Sequence, residues 1–371
     1  MSVIAYAAIV VCILLLPIAH PANAQEKYGG TLVFAHRIGP KHFNQAWKYD
    51  VGAYPVNYNV FNNLIVTDGS RDSVIPDLAE RWDVSTDLKV YTFYLVKNAK
   101  WHDGQKFTAA DVKWTFEKVI SDQGYQVDAL KGVSRIDVVD DYTLKITLKE
   151  SDIAFLGVLG QFPPIPILPK HLYDGTDWTT NPCTQKPVGT GPFKFEEHVT
   201  DSHVTLTYNP EYFKGRPYLD KIIMRIIPSN PVAMAALEAG EVSWLAIGMF
   251  PNSQVPKFQK LPAFQITRVP FPVYPAIGYN LRRKPFDNAL VREAIAYAIN
   301  RTEITQKALF GLSDPSVNVF SRNQFKWASN PDAKLPVFSP SKAEELLDQA
   351  GYRRGADGIR FRSSFTPYAL V

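Results

Sequence analysis

The side chains that could do chemistry in this sequence are a few histidines and acids, and they form no recognisable catalytic set. His102 and Asp103 are adjacent on a predicted turn, so their side chains point apart and do not make a base with its orienting partner. His198 and His203 stand too far apart on a predicted loop and strand to form a paired zinc site. Gly-x-Ser-x-Gly, His-Glu-x-x-His, Walker and dinucleotide-binding patterns are absent from the sequence, and no acidic pair stands out as a glycosidase dyad. We therefore predict a protein that is not an enzyme and that uses no metal or cofactor.

The side chains suited to binding lie in a loop over residues 37–54, directly after a predicted strand at 31–36. Loops of mixed aromatic and polar composition on a rigid scaffold are where ligands are usually met. The alternative is that these rings pack against the lobe beneath them, and composition does not decide between the two. The residues concerned are His42, Phe43, Asn44, Trp47, Tyr49, Gly52 and Tyr54.

The best-defined elements lie between residues 79 and 119, as a strand at 90–96, a turn at 101–104 and a helix beginning at Thr108. In Thr108-x-x-Asp111 the hydroxyl can cap a backbone N–H, while the carboxylate lies at the positive end of the helix. This pattern predicts a strand–turn–helix unit that serves as scaffold.

Other elements follow from period-two alternation, turn residues and helix caps. Further strands are predicted at 133–137, 142–149, 204–208, 219–227 and 241–247. Helices are predicted at 56–64 and 233–239, after a cap at Asp287 or Asn288, and at 342–350 after Ser341. In the helix after Asn288, apolar residues at helical spacing are predicted to face the core, namely Val291, Ala294, Ile295, Ala298 and Ile299. Two glycines and two prolines in 187–193 predict a strained bend that returns the chain from one lobe to another, and His171 is predicted to be a turn residue.

Composition places the chain among soluble globular proteins of more than one lobe. It has 371 residues with 46% hydrophobic side chains, enough for a large core. A net charge of +4, without charge blocks, argues against a nucleic-acid partner. Of the two cysteines only Cys183 lies outside the N-terminal apolar run, so an internal disulfide is not expected.

An apolar run over residues 3–18, followed by Ala22-Asn23-Ala24, predicts a secretory signal peptide cleaved after Ala24. No Lys or Arg precedes the run, which departs from the usual pattern and leaves the true start open. An uncleaved anchor is the alternative, although the run is short for a membrane span. A lipid attachment at Cys12 is the minor alternative, since the small residues that it needs are missing.

Two long blocks resemble the family 5 extracellular solute-binding proteins, the peptide-binding class that serves ABC importers. The first block comprises Leu78, Ala79, Trp82, Ser85, Asp87, Tyr91, Thr92, Phe93, Leu95, residues 101–104 and 107–109, Asp111, Val112, Thr115 and Phe116. The second runs from Ile277 to Arg301 and is continued by Ala343, Leu346, Leu347, Ala350, Gly351 and Tyr352. The Gly-Thr-Gly-Pro-Phe segment at 189–193 is similar to the family's crossover element.

The resemblance implies an α/β fold of the periplasmic binding protein type II kind, cluster C. Such a fold has two main lobes plus an inserted lobe, with mixed sheets and a hinge. The expected division is a signal peptide at 1–24, lobe I at 25–69 and 186–278, an inserted lobe II at 70–185, and an incomplete lobe III at 279–371. Because family members usually continue well past this point, the resemblance also implies a chain truncated at its C-terminus.

The implied function is capture of small peptides in the periplasm by a monomer and their delivery to ABC permease subunits. Nickel complexes, opines and oligosaccharides are alternative solutes, and a chaperone-like or signalling receptor or a non-functional fragment is an alternative role. The residues that the resemblance implies for ligand contact are Tyr49, Gly52, Tyr54, Tyr125, Tyr279 and Asn280.

Overall fold

The computed structural model describes residues 28–68, 73–161, 163–246, 248–266, 276–315, 330 and 332–362. The predicted signal peptide and its cleavage site at Ala24 lie outside the described residues. The strands are β1 Thr31–His36, β2 Ile65–Thr67, β3 Val74–Pro76, β4 Ala79–Val84, β5 Val90–Leu95, β6 Val133–Asp140, β7 Thr143–Leu148, β8 Phe193–Val199, β9 His203–Tyr208, β10 Lys221–Ile226, β11 Trp244–Leu245, β12 Tyr352–Arg354 and β13 Arg360–Arg362. The helices are α1 Tyr54–Val60, α2 Ala109–Ser121, α3 Phe155–Leu159, α4 Lys170–Tyr173, α5 Asn230–Glu238, α6 Val255–Phe258, α7 Ala289–Ala298, α8 Arg301–Glu303 and α9 Pro340–Gln349.

A mixed five-stranded sheet in the order β11-β1-β10-β9-β8 lies in the segments predicted for lobe I. Strand β1 runs parallel to both β10 and β11, so that Phe34 lies opposite Met224 on one side and Trp244 on the other. Strands β10, β9 and β8 are joined by antiparallel pairing. The carboxyl ends of β1, β10 and β11 therefore meet at one edge of the sheet.

A second, antiparallel sheet in the order β4-β5-β7-β6 lies in the segment predicted as the inserted lobe II, with α2 packed against it. The predicted alternation is confirmed, because Tyr91, Phe93 and Leu95 of β5 are all buried while the residues between them are half-buried. The capping pattern of α2 is also confirmed. The Asp111 carboxylate accepts a hydrogen bond from the Thr108 backbone N–H at 2.8 Å.

The predictions for the first helix and for the last strand of lobe I were wrong in extent. Helix α1 ends at Val60, before the predicted Leu64, because the Asn63 backbone N–H donates to the Asp77 carboxylate at 2.7 Å instead of continuing the helix. Strand β11 contains only two of the six predicted residues that the structure describes, since it pairs with β1 alone. The seventh, residue 247, lies outside the described residues.

One hydrophobic core runs from the first sheet into the inserted lobe. It contains Phe34, Leu206 and Met224 from the first sheet together with Phe93 and Leu144 from the second. The lobe boundaries remain a prediction, but in the described residues lobe I and lobe II share their apolar packing. A separate cluster packs α5 against the other face of β1.

The C-terminal part consists of the α7–α9 pair and the β12–β13 hairpin. Asn288 caps α7 as predicted, since its side-chain oxygen accepts from the Leu290 N–H at 2.9 Å. The core prediction for α7 was wrong in part: Val291 and Ala294 are buried but Ala298 is exposed, because α9 covers only a narrow stripe of this helix.

The cap predicted for the last helix was also wrong by two residues. The α9 cap is Ser339, whose Oγ accepts from the Lys342 N–H at 3.2 Å, and not Ser341, which lies inside the helix.

Candidate functional site

The edge where β1, β10 and β11 end is the place in this fold where a ligand would be expected. In open α/β sheets ligands bind outside the carboxyl ends of parallel strands. Arg37, directly after β1, joins this edge together. Its Nη2 donates to the side chain of Asn230 at 3.0 Å and to the carbonyl of Gly248 at 2.9 Å, which ties the loops after β10 and β11 to the loop after β1.

The loop after β1 crosses from this edge to the inserted lobe. The Phe43 N–H donates to the carbonyl of Thr184 at 2.8 Å, and the Asn44 side chain donates to the carbonyl of Trp178 at 3.1 Å. Phe43 and Asn44 are fully buried, and His42 is almost completely buried. For these residues the packing alternative is the correct one, and their side chains hold the loop in place.

Tyr49 and Tyr125 are brought together at the boundary between the loop and the inserted lobe. Their rings are stacked, with centroids 5.2 Å apart and an interplanar angle of 22°. The stack is set by the backbone, since the Tyr125 N–H donates to the carbonyl of Ala46 at 2.9 Å. Tyr49 keeps 36% of its surface exposed, and Tyr125 is half-buried. The pair is therefore partly open to solvent and held in a fixed position, with the Tyr125 hydroxyl accepting from the Gln126 side chain at 3.4 Å.

Both phenols remain neutral at physiological pH. Burial, followed by the nearby Asp50 carboxylate, raises the pKa of Tyr49 above its ordinary value. Burial, followed by the neighbouring Tyr49, raises the pKa of Tyr125. Neutral phenols can stack on planar groups and can donate or accept one hydrogen bond each.

Gly52 and Tyr54 have local roles. A Cβ at Gly52 would overlap the carbonyl group of Gly39, so this glycine allows two parts of the loop to touch. Tyr54 opens α1 and packs edge-on against Tyr58, with centroids 4.8 Å apart. Direct ligand contact by either residue stays a prediction.

Tyr279 and Asn280 lie in the segment that leads to α7. The Tyr279 ring packs on Phe286 with centroids 5.5 Å apart. The Asn280 side chain accepts from the Arg282 N–H at 3.1 Å and so stabilises a turn. These contacts are within their own segment, and a ligand role for them stays a prediction.

Sequence reasoning missed the joint between the turn at 101–104 and the returning chain at 187–193. The prediction that His102 and Asp103 point apart is confirmed. The His102 ring contacts Gly189 and Gly191, whereas the Asp103 carboxylate contacts His171 Nε2 at 2.6 Å. His171 lies in α4 rather than in a turn.

The bend at Gly189 and Gly191 is required by close packing rather than by strain. Neither glycine has a left-handed φ, but an added Cβ at Gly189 would overlap the carbonyl of Val60, and one at Gly191 would overlap that of Asn59. The Gly-x-Gly spacing in the sequence was the signal for this contact, and only the position of α1 shows its purpose.

The described residues hold no group of three or more His, Cys, Asp and Glu side chains arranged to bind a metal ion. His203 instead pairs with Glu197 at 3.2 Å, and His198 packs edge-on against Phe43. None of the described helices combines the length and the apolar character that a bilayer crossing requires.

The fold and the sheet edge place the molecule in the class of type II periplasmic binding proteins. Residues 73–369 match the profile of the bacterial extracellular solute-binding proteins, family 5 middle region, and the chain belongs to this family.

Among its relatives is a putative ABC transporter peptide-binding protein of Brucella ovis, 31% identical over 342 residues, which cover 89% of this chain and 62% of the relative. The chain thus spans about three fifths of the length of that protein. Similar solved structures include Campylobacter jejuni NikZ in complex with Ni(L-His), with a TM-score of 0.77, 28% identity and coverage of 91% of this chain and 66% of that one. Helicobacter pylori DppA in complex with the peptide STSA has a TM-score of 0.74, 30% identity and coverage of 89% of this chain and 68% of that one.

Proposed function

We propose that this protein is the solute-binding component of an ABC importer and that its solutes are small peptides. The observation that carries the proposal is the stacked Tyr49–Tyr125 pair, partly exposed where the loop after β1 meets the inserted lobe. Family membership supports the general role, and the relatives with peptide-binding names support the solute class.

A peptide suits such a site because its backbone offers regularly spaced amide donors and acceptors. Main-chain hydrogen bonds give affinity without reading side chains, and planar peptide groups pack well on tyrosine rings. Closure of a hinged lobe over the solute would add contacts and expel water. In this scheme Tyr49 and Tyr125 contact the solute directly, Gly52 and Tyr54 shape the loop, and Tyr279 and Asn280 approach from the opposite side.

The remaining parts of the proposal concern place and partners. The protein would be exported through a signal peptide cleaved after Ala24, act as a periplasmic monomer and deliver its solute to the permease subunits of the importer. It would have no catalytic activity and no cofactor.

The proposal is tested by calorimetry and thermal shift on the purified mature chain. The ligands are di- to hexapeptides, oligosaccharides, an opine and Ni(L-His), the last because NikZ was solved with it. Peptides are expected to raise the melting temperature, and a response to another solute alone would replace peptide as the substrate class. A chain that responds to none of them while a longer relative binds would contradict the proposal.

Replacing Tyr49 or Tyr125 by Ala should weaken peptide binding about tenfold, or about 1.4 kcal/mol, because each ring supplies a stacking face. Tyr218→Ala is the matched control, since Tyr218 is 55% exposed and also packs on a tyrosine, but lies before β10 at the opposite edge of the sheet. Equal peptide affinity of all three variants and the unmodified chain would show that the tyrosine pair does not contact the peptide.

A further inference from the structure

His102 joins the inserted lobe to the returning chain through its backbone and through both ring nitrogens. Its backbone N–H donates to the carbonyl of Gly189 at 2.8 Å. Its Nδ1 accepts from the Gly189 N–H at 3.3 Å, and its Nε2 lies 3.0 Å from the Gly191 carbonyl. One residue of the turn at 101–104 thus makes three bonds to the crossover.

These bonds define the protonation state of the imidazole. A nitrogen that accepts a hydrogen bond carries no proton, so Nδ1 is bare and Nε2 holds the single proton, which it donates to Gly191. The ring is therefore neutral in this arrangement. An imidazolium would present two N–H groups, and the Gly189 N–H would face another donor.

Burial of the ring favours the neutral form, and two charged groups lie close to it. From β8, the Lys194 ammonium donates to the His102 carbonyl at 3.1 Å. Within the turn itself, the Asp103 carboxylate is directed to His171 on α4. Burial, above all, lowers the pKa of His102 to about 4; Lys194 lowers it further, while the Gly191 bond and Asp103 act in the opposite direction.

The crossover has no space in which to move aside from a charged ring. Gly189 and Gly191 already lie against the carbonyl groups of Val60 and Asn59 at the end of α1. The Gly191 N–H also donates to the Val60 carbonyl at 2.8 Å. Imidazole, crossover and α1 form three layers in direct contact.

We propose that His102 is a pH-dependent clasp between the inserted lobe and the returning chain, closed by the neutral imidazole and opened when Nδ1 is protonated. Opening removes the acceptor of the Gly189 N–H and loosens the segment at 187–193 against the turn at 101–104, while the His102 backbone N–H and Nε2 keep their carbonyl partners. The clasp is independent of any solute and goes beyond the proposed binding function.

The direction of the pH effect follows from linkage. A histidine with a folded-state pKa of about 4 binds a proton less readily than in the unfolded chain, where its pKa is about 6.5. Between these values the unfolded state holds more protons, so stability rises with pH. The contribution of the clasp is complete above about pH 6.5 and is lost as the pH falls toward 4.

The test needs the unmodified mature chain and no ligand. A titration of isotope-labelled histidine by NMR should show one imidazole with a midpoint near pH 4, assigned by its absence from His102→Gln. Amide exchange over 187–193, corrected for intrinsic rates, should become at least tenfold faster between pH 7 and pH 4 relative to the amides of α2. In His102→Gln the extra acceleration should disappear. The control is His203→Gln, which alters an imidazole paired with Glu197 on the first sheet and should behave as the unmodified chain does.

A midpoint near 6.5 for His102, or equal acceleration in the segment and in α2, would overturn the clasp. The exchange reading comes from the unmodified chain alone, so it stands even when His102→Gln does not fold. Loss of peptide binding with an intact clasp would count against the proposed function alone.

Discussion

At position 189 the returning chain touches the backbone of α1, and the contact leaves no room for a methyl group. We expect Gly189→Ala to lower the free energy of unfolding by about 3 kcal/mol or more, since a Cβ there overlaps a carbonyl group that cannot rotate away. Urea unfolding followed by circular dichroism measures the change. Gly132→Ala is the control, because a Cβ at Gly132 meets no atom within 4 Å. Equal midpoints for the two variants would contradict the close approach.

At the scale of single residues, the sequence predicted local chemistry better than tertiary contacts. The Thr108–Asp111 cap and the divergence of His102 from Asp103 follow from short-range geometry, and both are confirmed. The cap prediction at Ser341 was wrong because Glu344, three residues later, completes a capping-box pattern there, whereas the helix begins at Pro340 and makes Ser339 its cap. The stacking of Tyr49 on Tyr125 was not predicted, although both were named, because 76 positions of chain separate them.

At the scale of elements, the inserted sheet is the part whose alternation was read correctly. Its central strands β5 and β7 each have neighbours on both sides, so every inward residue is covered. The predictions failed at α1 and β11, where tertiary hydrogen bonds end the element earlier than local propensity would.

The same sheet supports a direct test of burial. Leu144 on β7 is fully buried, so Leu144→Ala should cost about 2–5 kcal/mol through lost apolar contact and the cavity left behind. Val139→Ala on the edge strand β6, where the side chain is 54% exposed, should change stability by at most about 0.5 kcal/mol. Chemical denaturation of both variants gives the two values, and a similar cost at the two positions would show that the β7 side chain does not face the core.

At the scale of the whole molecule, the described residues include two regions whose apolar cores differ in size. The main core joins lobe I to lobe II, whereas the buried members of the C-terminal cluster are only Ala294, Ala343 and Leu346. Sequence periodicity identified both regions as helical or strand-like. It could not show that the two predicted lobes share one core, because that core gathers residues more than 100 positions apart in the sequence, such as Phe34 and Leu144.

This difference predicts two levels of stability. Leu346→Ala should unfold the α7–α9 pair while leaving the main core at its original melting temperature, since a small cluster opens locally at low cost. Hydrogen exchange read by peptide mass spectrometry should show faster exchange in α9 and unchanged exchange in α2. A uniform acceleration across both helices would mean that the two cores unfold as one.

The position of β1 in its sheet has a consequence for the order of folding. Its neighbours are β10 and β11. Strand β10 is the nearer of the two along the chain, and its Lys221 pairs with Thr31 of β1. Closing so long a loop before any contact compensates its entropy is slow. Strands β4, β5, β6 and β7 pair within residues 79–148 and can associate long before β10 is available. We therefore expect the inserted sheet to form early in folding, and β1, the first of the described strands along the chain, to find its place late.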